Sequence, residues 1–198
     1  MHPNAAFRFA DEGAMRAFAG EQGFAHLFCH TVEGPMVAHA PVVVADDGRL
    51  SFHIARGNRL TRHLDGARVI ASIAGADAYV SPDWYGSADQ VPTWNYVAVE
   101  AEGTARLLDR DGLVALLDAL SAVHEAKLAP KRPWTREKMT PGRFEAMLPA
   151  ILGFEIATPA WRGTSKLGQN KNAAERAGAS AGLRAAGAVA IAELMDGL

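Results

Sequence analysis

Apolar and polar residues alternate along several short segments in the first half of the chain, as in β-strands with one buried face. The alternation is clearest in FAHLFCHTV at 24–32, MVAHAPVVVA at 36–45 and RLSFHIA at 49–55. The residues between them, Glu-Gly-Pro and Asp-Asp-Gly, are typical of tight turns. The pattern therefore predicts three consecutive antiparallel strands joined by hairpins.

Further strand-like segments lie at 68–75, 76–81 and 91–108, with a last one at 153–161. Short strands separated by tight turns favour an antiparallel barrel or sandwich over a parallel sheet.

Helical patterns appear mainly after residue 110, where Leu and Val recur on one helical stripe at 113, 116, 117, 120 and 123. A proline-rich linker at 129–135 separates this helix from a second one near 142–149. Earlier in the chain, Asn58 is placed to cap one or two helical turns. After Ala173 the chain is rich in Ala and Gly, and glycine weakens a helix, so this tail either packs on a partner or frays.

The composition is that of a globular protein, with 198 residues, 49% hydrophobic residues and a net charge of −2. This charge argues against binding nucleic acid by bulk electrostatics. Five basic residues and one acid nevertheless lie between positions 161 and 184. The two interpretations of this segment are a solvated tail or helix and a surface that faces phosphates or nucleic acid. No apolar run reaches the length of a membrane span and no secretory signal is recognised, so we expect a cytoplasmic protein without a membrane contact.

The first candidate for ligand binding is the turn after the third predicted strand, which carries Arg56, Gly57, Asn58 and Arg59. Glycine lets a ligand approach the backbone, and arginine presents forked donors to a phosphate. The alternative is a basic helix cap that faces solvent.

The second candidate is the aromatic segment from Tyr79 to Val99, where Thr93 and Asn95 could bond the heteroatoms of a planar ring. Its aromatic residues could equally be barrel core or subunit interface. The third candidate is the polar group Lys166, Gln169 and Asn170, with a surface loop as the alternative.

Histidines at 26, 30, 39 and 53 raise the hypothesis of a metal or haem site. No carboxylate stands at a ligand spacing, however, so we predict no metal site.

Several of these segments, in this order, resemble the PaiB-type FMN-binding negative transcriptional regulators, a family related to pyridoxamine-phosphate oxidases. The resemblance is carried by GRLSFHIARGN, GADAYVSPDWY, VPTWNYVAVEAEG, ILGFEI and SKLGQNKN. It implies a mainly β fold with peripheral helices, an antiparallel Greek-key split β-barrel of the FMN-binding type. It also implies a domain over residues 1–160, with a helical insert at about 110–150. Residues 161–198 would add the polar motif and a helical tail to that domain.

The resemblance further implies a homodimer with FMN at the subunit interface. The implied cofactor-binding residues are His53, Ile54, Ala55, Arg56, Asn58, Arg59, Trp94, Asn95, Lys166, Gln169 and Asn170. Two positions depart from the family pattern. Asp77 stands where histidine is usual, which puts a role of that position in ring binding in doubt, and Gly168 replaces a serine, which we expect to loosen the loop.

Two functions remain open at this stage, because one fold hosts many activities. The family name implies a flavin-binding transcriptional regulator, with a DNA contact, if any, through the basic residues at 162–184. The alternative is an FMN-dependent oxidoreductase, such as a flavin reductase or oxidase, acting on a small molecule. The sequence leaves open whether the protein is an enzyme.

Overall fold

The computed structural model describes residues 1–9 and 11–198, which contain eight β-strands and six α-helices. The strands are β1 (Phe24–Thr31), β2 (Gly34–Val44), β3 (Leu50–Ala55), β4 (Arg68–Val80), β5 (Thr93–Thr104), β6 (Arg106–Leu107), β7 (Ile151–Ile156) and β8 (Ala160–Lys166). The helices are α1 (Glu12–Gln22), α2 (Thr61–Leu64), α3 (Arg110–Ala126), α4 (Arg143–Met147), α5 (Ala173–Ala185) and α6 (Val189–Asp196).

The strands form one sheet in the order β6-β7-β3-β2-β1-β4-β5-β8. β1 pairs antiparallel with β2, β2 with β3 and β3 with β7. These pairings confirm the three hairpin strands predicted from the alternation. The buried face of each strand fixes its register with the next. β4 is a single strand, whereas the sequence predicted two separate segments.

The described residues group into two compact units, and each is described by itself. We call residues 16–73 with 100–161 the hairpin unit, and residues 1–15 with 74–99 and 162–198 the terminal unit. Among the described residues, no helix is both long enough and apolar enough to cross a membrane.

In the hairpin unit, Phe52 of β3 lies opposite Phe154 of β7, and their rings stack with centroids 5.7 Å apart. α3 begins at the cap residue Asp109, whose carboxylate accepts a hydrogen bond of 2.8 Å from the Gly112 amide. The predicted stripe is buried at Leu113, Leu116 and Leu120. Val123, on the same stripe one turn further along the helix, is exposed.

In the terminal unit, the glycines of α5 make room for Trp84. A Cβ atom at Gly178 would lie well inside van der Waals contact with the Trp84 carbonyl oxygen, and one at Gly182 would collide with the indole ring. α5 is also held by a capping box between Asn172 and Glu175. The Ala/Gly-rich tail is therefore a packed pair of helices, and its glycines at 178 and 182 serve close approach.

Candidate functional site

The turn after β3 in the hairpin unit is closed by its own hydrogen bonds. The Asn58 amide donates to the Ala55 carbonyl at 3.0 Å, and the Thr61 hydroxyl donates to the same oxygen at 2.8 Å. The Asn58 side chain accepts from the Leu60 amide at 2.9 Å. The expectation that Asn58 caps a helix is wrong, because α2 begins only at Thr61 and the Asn58 side chain is used within the turn itself.

Three arginines on and after this turn differ in what they contact. Arg56 donates through Nε to the Pro149 carbonyl at 2.7 Å, and its terminal nitrogens have no partner among the described residues. Arg59 is exposed and has no hydrogen-bond or ion-pair partner among residues 1–9 and 11–198. Arg62, in contrast, forms an ion pair with Glu33. The turn thus offers two guanidinium groups, Arg56 and Arg59, with donors left to bind an anion.

The three candidate residues at the end of β3, His53, Ile54 and Ala55, lie on different faces of the strand. Successive side chains of a strand point to opposite faces. Ile54 is buried in the core, so its side chain cannot reach a ligand, while His53 and Ala55 share the other face. Burial lowers the pKa of His53, which favours its neutral form.

The Nδ1 atom of His53 is buried and has no hydrogen-bond partner in the part of the chain that the structure describes. Buried polar atoms are nearly always paired, so this atom is a candidate contact for a ligand.

Trp94 and Asn95, in the terminal unit, are neighbours on β5 and therefore face opposite sides of the strand. Trp94 is exposed, and its indole N–H donates to the Asp77 carboxylate at 2.9 Å. The Tyr79 ring packs edge-on against it, with centroids 6.2 Å apart. Asp77, the departure from the family pattern, thus anchors an exposed aromatic ring.

Asn95 is 1% exposed, and its side-chain amide donates to the Met195 sulfur at 3.3 Å. A thioether is a weak acceptor. Trp94 and Asn95 therefore cannot bind the same ring from one face of β5.

The polar motif after β8 is ordered by its own contacts. Lys166 donates to the Thr93 hydroxyl and, at 2.9 Å, to the Trp94 carbonyl. Gln169 folds back, accepting from the Leu167 amide at 2.8 Å and donating to the Ser165 carbonyl at 2.6 Å. Gly168 has a φ of +84°, which glycine adopts without strain and serine does not. The glycine therefore suits the loop conformation.

A cavity of about 270 Å³ opens in the terminal unit beside this motif, and we call it the lysine cavity. It is lined by His2, Asn4, Phe7, Tyr85, Val91, Thr93, Asn95, Lys166, Gly168, Asn170 and Lys171. Four predicted residues, Thr93, Asn95, Lys166 and Asn170, meet here, whereas Trp94 and Gln169 are not among the lining residues.

Sequence reasoning placed Lys171 in the basic segment and Tyr85 in the aromatic segment, but it did not predict that they line one cavity with Lys166. The Lys171 ammonium lies 4.6 Å from the centroid of the Tyr85 ring and donates to the Gln90 side chain. No local pattern joins these residues, since more than eighty positions separate Lys171 from its partners; only the abundance of aromatic residues in the segment hinted at Tyr85.

No group of three or more His, Cys, Asp or Glu side chains within residues 1–9 and 11–198 is placed to hold a metal ion. His26 and His39, on paired strands, stack edge-on with ring centroids 4.8 Å apart.

Comparisons with known proteins define the class. The chain resembles the FAD and heme binding protein of Mycobacterium smegmatis, with 20% identity, a TM-score of 0.62, and 86% of this chain and 78% of that one covered. It also resembles the flavocytochrome Anf3 of Azotobacter vinelandii, with 17% identity, a TM-score of 0.57, and 84% and 72% covered. This chain therefore has the split-barrel fold of flavin-binding proteins, as predicted.

The family follows from the sequence matches. The model of a family described as "Putative FMN-binding domain" matches residues 1–159. Protease synthase and sporulation protein PAI 2 of Bacillus subtilis is 31% identical over 159 residues, which is 78% of this chain and 75% of that protein. The chain belongs to this FMN-binding domain family, and the membership confirms both the resemblance and FMN as the predicted cofactor.

Proposed function

We propose that this protein binds FMN through the turn after β3, with the phosphate held by Arg56 and Arg59. The observation that carries the proposal is the unpaired guanidinium of Arg59 on a turn whose backbone is already closed by hydrogen bonds. The orphaned Nδ1 of His53, on the strand that enters the turn, fits a polar edge of the same ligand. Bound FMN would supply hydride or electron chemistry, and the chain would orient it and exclude water.

The test compares FMN with riboflavin, which lacks the phosphate. Arg59→Gln is expected to weaken FMN binding by about tenfold, because a hydrogen bond to a charged group contributes roughly 1.5–3 kcal/mol, and to leave riboflavin binding unchanged. Arg62→Gln is the matched control, since Arg62 already pairs with Glu33. Equal loss for both flavins, or equal effects of the two substitutions, would contradict the proposed phosphate site.

A homodimer with FMN at the subunit interface is part of the proposal. Its support is an apolar patch on the outer face of β1 and β2, where Phe24, Phe28 and Val37 are 49%, 45% and 38% exposed. Phe28 and Val37 lie directly opposite each other in the register. Large exposed apolar patches mark interaction surfaces.

As to activity, the family resemblance supports a regulatory protein whose flavin state would act on gene expression. The structure offers little for direct DNA binding by residues 162–184. Arg184 pairs with Asp196 at 2.5 Å, and Lys166 and Lys171 line a cavity. A gel-shift titration at low salt tests this function, and a complex whose affinity falls steeply with salt is the expected result for a DNA-binding regulator.

The lysine cavity favours the second candidate, an FMN-dependent oxidoreductase acting on a small molecule, because an enzyme needs a site for its substrate. Reduction of the FMN-loaded protein by a nicotinamide nucleotide, followed by absorbance, would support this function. Absence of both reduction and reaction with oxygen would exclude a flavin reductase or oxidase.

A cytoplasmic location and the division into residues 1–160 and 161–198 within one domain also remain part of the proposal. The family match over residues 1–159 agrees with the first boundary.

A further inference from the structure

We propose that the lysine cavity is a binding site for a small anion, distinct from the flavin site, and that its ligand carries a phosphate group or a pair of carboxylates. The cavity lies wholly within the terminal unit, so the inference stands whether or not the turn after β3 holds FMN.

Two ammonium groups line this cavity, and neither has a carboxylate within ion-pair distance among the described residues. Lys166 contacts the Thr93 hydroxyl and the Trp94 carbonyl, and Lys171 contacts the Gln90 amide oxygen, all of them neutral acceptors. An ammonium group has three N–H donors. Lys166 therefore keeps one donor, and Lys171 keeps two, without an acceptor among the residues that the structure describes.

The charged form of Lys166 is disfavoured in this cavity. Burial, and then the charge of Lys171, lower the pKa of Lys166. A charge in a partly buried site is favoured when an opposite charge binds beside it. An anion between the two ammonium groups would favour their charged forms, and no carboxylate of the described residues forms an ion pair with either lysine.

The Glu175 carboxylate interacts with the charge of Lys171, but its oxygens hydrogen-bond to other groups. Glu175 accepts hydrogen bonds from the Ser87 hydroxyl at 2.8 Å, the Gln90 amide at 3.2 Å and the backbone of Asn172 at 3.1 Å. It forms no ion pair with either lysine within the described residues. A bound anion would therefore be the first group of opposite charge within ion-pair distance of either lysine, as far as the described residues show.

The walls of the cavity indicate the size and kind of this ligand. Its volume of about 270 Å³ is just below the roughly 300–1,000 Å³ typical of ligand pockets, so the ligand is small. Phe7 and Tyr85 provide aromatic surface, and Asn170 a neutral hydrogen-bonding group. Asn95 is 1% exposed, and its side-chain amide donates to a thioether within the described residues, so a stronger acceptor would satisfy it better. Two charges favour a dianion over a monoanion.

Calorimetric titration of the purified protein tests the proposal, with sodium phosphate and with succinate as probes at constant ionic strength. The same titrations are made on protein saturated with FMN. We expect at least one probe to bind, with the same dissociation constant in both preparations to within about twofold. Preference for phosphate or for succinate identifies which of the two anionic groups the site accepts.

Lys166→Gln and Lys171→Gln are each expected to weaken anion binding by about tenfold or more, and Lys171→Gln is also expected to leave FMN affinity unchanged. Lys138→Gln, the same change at an exposed lysine of the hairpin unit, is the matched control. Lys166→Arg and Lys171→Arg keep the charge and are expected to retain binding, which separates loss of charge from loss of folding.

The proposal is overturned if neither probe binds, if both Gln variants bind as the parent protein does, or if FMN displaces the anion. The last result would assign the cavity to the flavin. Failure to take up FMN would contradict the proposed function alone, because the titration of the purified protein does not depend on it.

Discussion

At the scale of single residues, Asp77 shows how one substitution changes its surroundings. Its carboxylate accepts the indole N–H of Trp94, and Tyr79 packs against the edge of the same ring. Trp94 is about half exposed, and an exposed aromatic side chain without a polar anchor would sample several rotamers. Asp77 therefore acts as a positioning residue for Trp94.

Asp77→Ala is expected to free the Trp94 ring, whereas Asp77→Asn keeps an acceptor oxygen and should preserve its position. The Trp94 indole N–H resonance in a nitrogen–proton NMR spectrum measures this directly. In Asp77→Ala it should move towards the position of a solvent-exposed indole. An unchanged resonance would mean that Tyr79 packing alone fixes the ring.

His53 predicts a pH dependence of stability. Because burial lowers its pKa in the folded protein, the unfolded chain binds a proton more readily than the folded one. The contribution of neutral His53 to the free energy of unfolding is therefore fully present above the ordinary histidine pKa of about 6.5. It is lost as pH falls from there through the lowered pKa that His53 has in the folded protein.

Replacing His53 by Gln should reduce the loss of unfolding free energy between pH 7.5 and pH 5.5, measured by urea denaturation. His30→Gln, at an exposed position of β1, is the control. If both variants lose stability with acid as steeply as the parent protein, His53 is not the group responsible.

At the scale of elements, two effects of opposite sign decide what a substitution at a glycine of α5 does to stability. A glycine in a helix costs about 0.5–1 kcal/mol relative to alanine. At Gly178, however, a methyl group would meet the backbone carbonyl of Trp84, which cannot rotate away as a side chain could. Overpacking typically costs about 1–3 kcal/mol, so the clash is the larger effect.

Gly178→Ala is accordingly expected to lower the free energy of unfolding by about 1–2 kcal/mol, which combines these two effects. Gly20→Ala in α1 should raise it by about 0.5–1 kcal/mol, because nothing lies within 4 Å of the added methyl group. Chemical denaturation of the two variants side by side checks both signs. Stabilisation by Gly178→Ala would show that α5 does not pack on Trp84 as described.

The sequence predicted elements well wherever the signal is local. β1, β2 and β3 follow from alternation and turn residues, and the cap of α3 and its leucines lie within one helix. The purpose of Gly178 depends on Trp84, more than ninety positions away, so only the weakening of the helix was visible. For the same reason the sequence did not show that Tyr85, about eighty positions before Lys166, lines the same cavity.

At the scale of the whole molecule, the order of strands depends on distant contacts. β3 pairs with β7, placing Phe52 opposite Phe154 across about a hundred positions of chain. Hairpins can be predicted from turns, but such a pairing is specified by the complementarity of buried faces. The family resemblance, which is drawn from motifs in order, provided the topology that periodicity alone did not.

The proposed dimer makes a prediction at this scale. Phe28→Asp would place a charge in the centre of the apolar patch and is expected to convert the dimer to a monomer, because burying an unpaired charge is costly. Val32→Asp, at a turn position that is 97% exposed, should leave the mass unchanged. Light scattering coupled to size-exclusion chromatography measures both, and a dimeric Phe28→Asp variant would exclude this face.

The closed turn after β3 has a thermodynamic consequence for the phosphate that we propose it binds. Fixing the backbone of a residue costs about 1–2 kcal/mol of conformational entropy. Because hydrogen bonds already fix the turn from Ala55 to Thr61, this cost is met when the chain folds and not when the phosphate arrives. Such preorganisation raises affinity without any additional contact, and it permits association to proceed without waiting for a loop to rearrange.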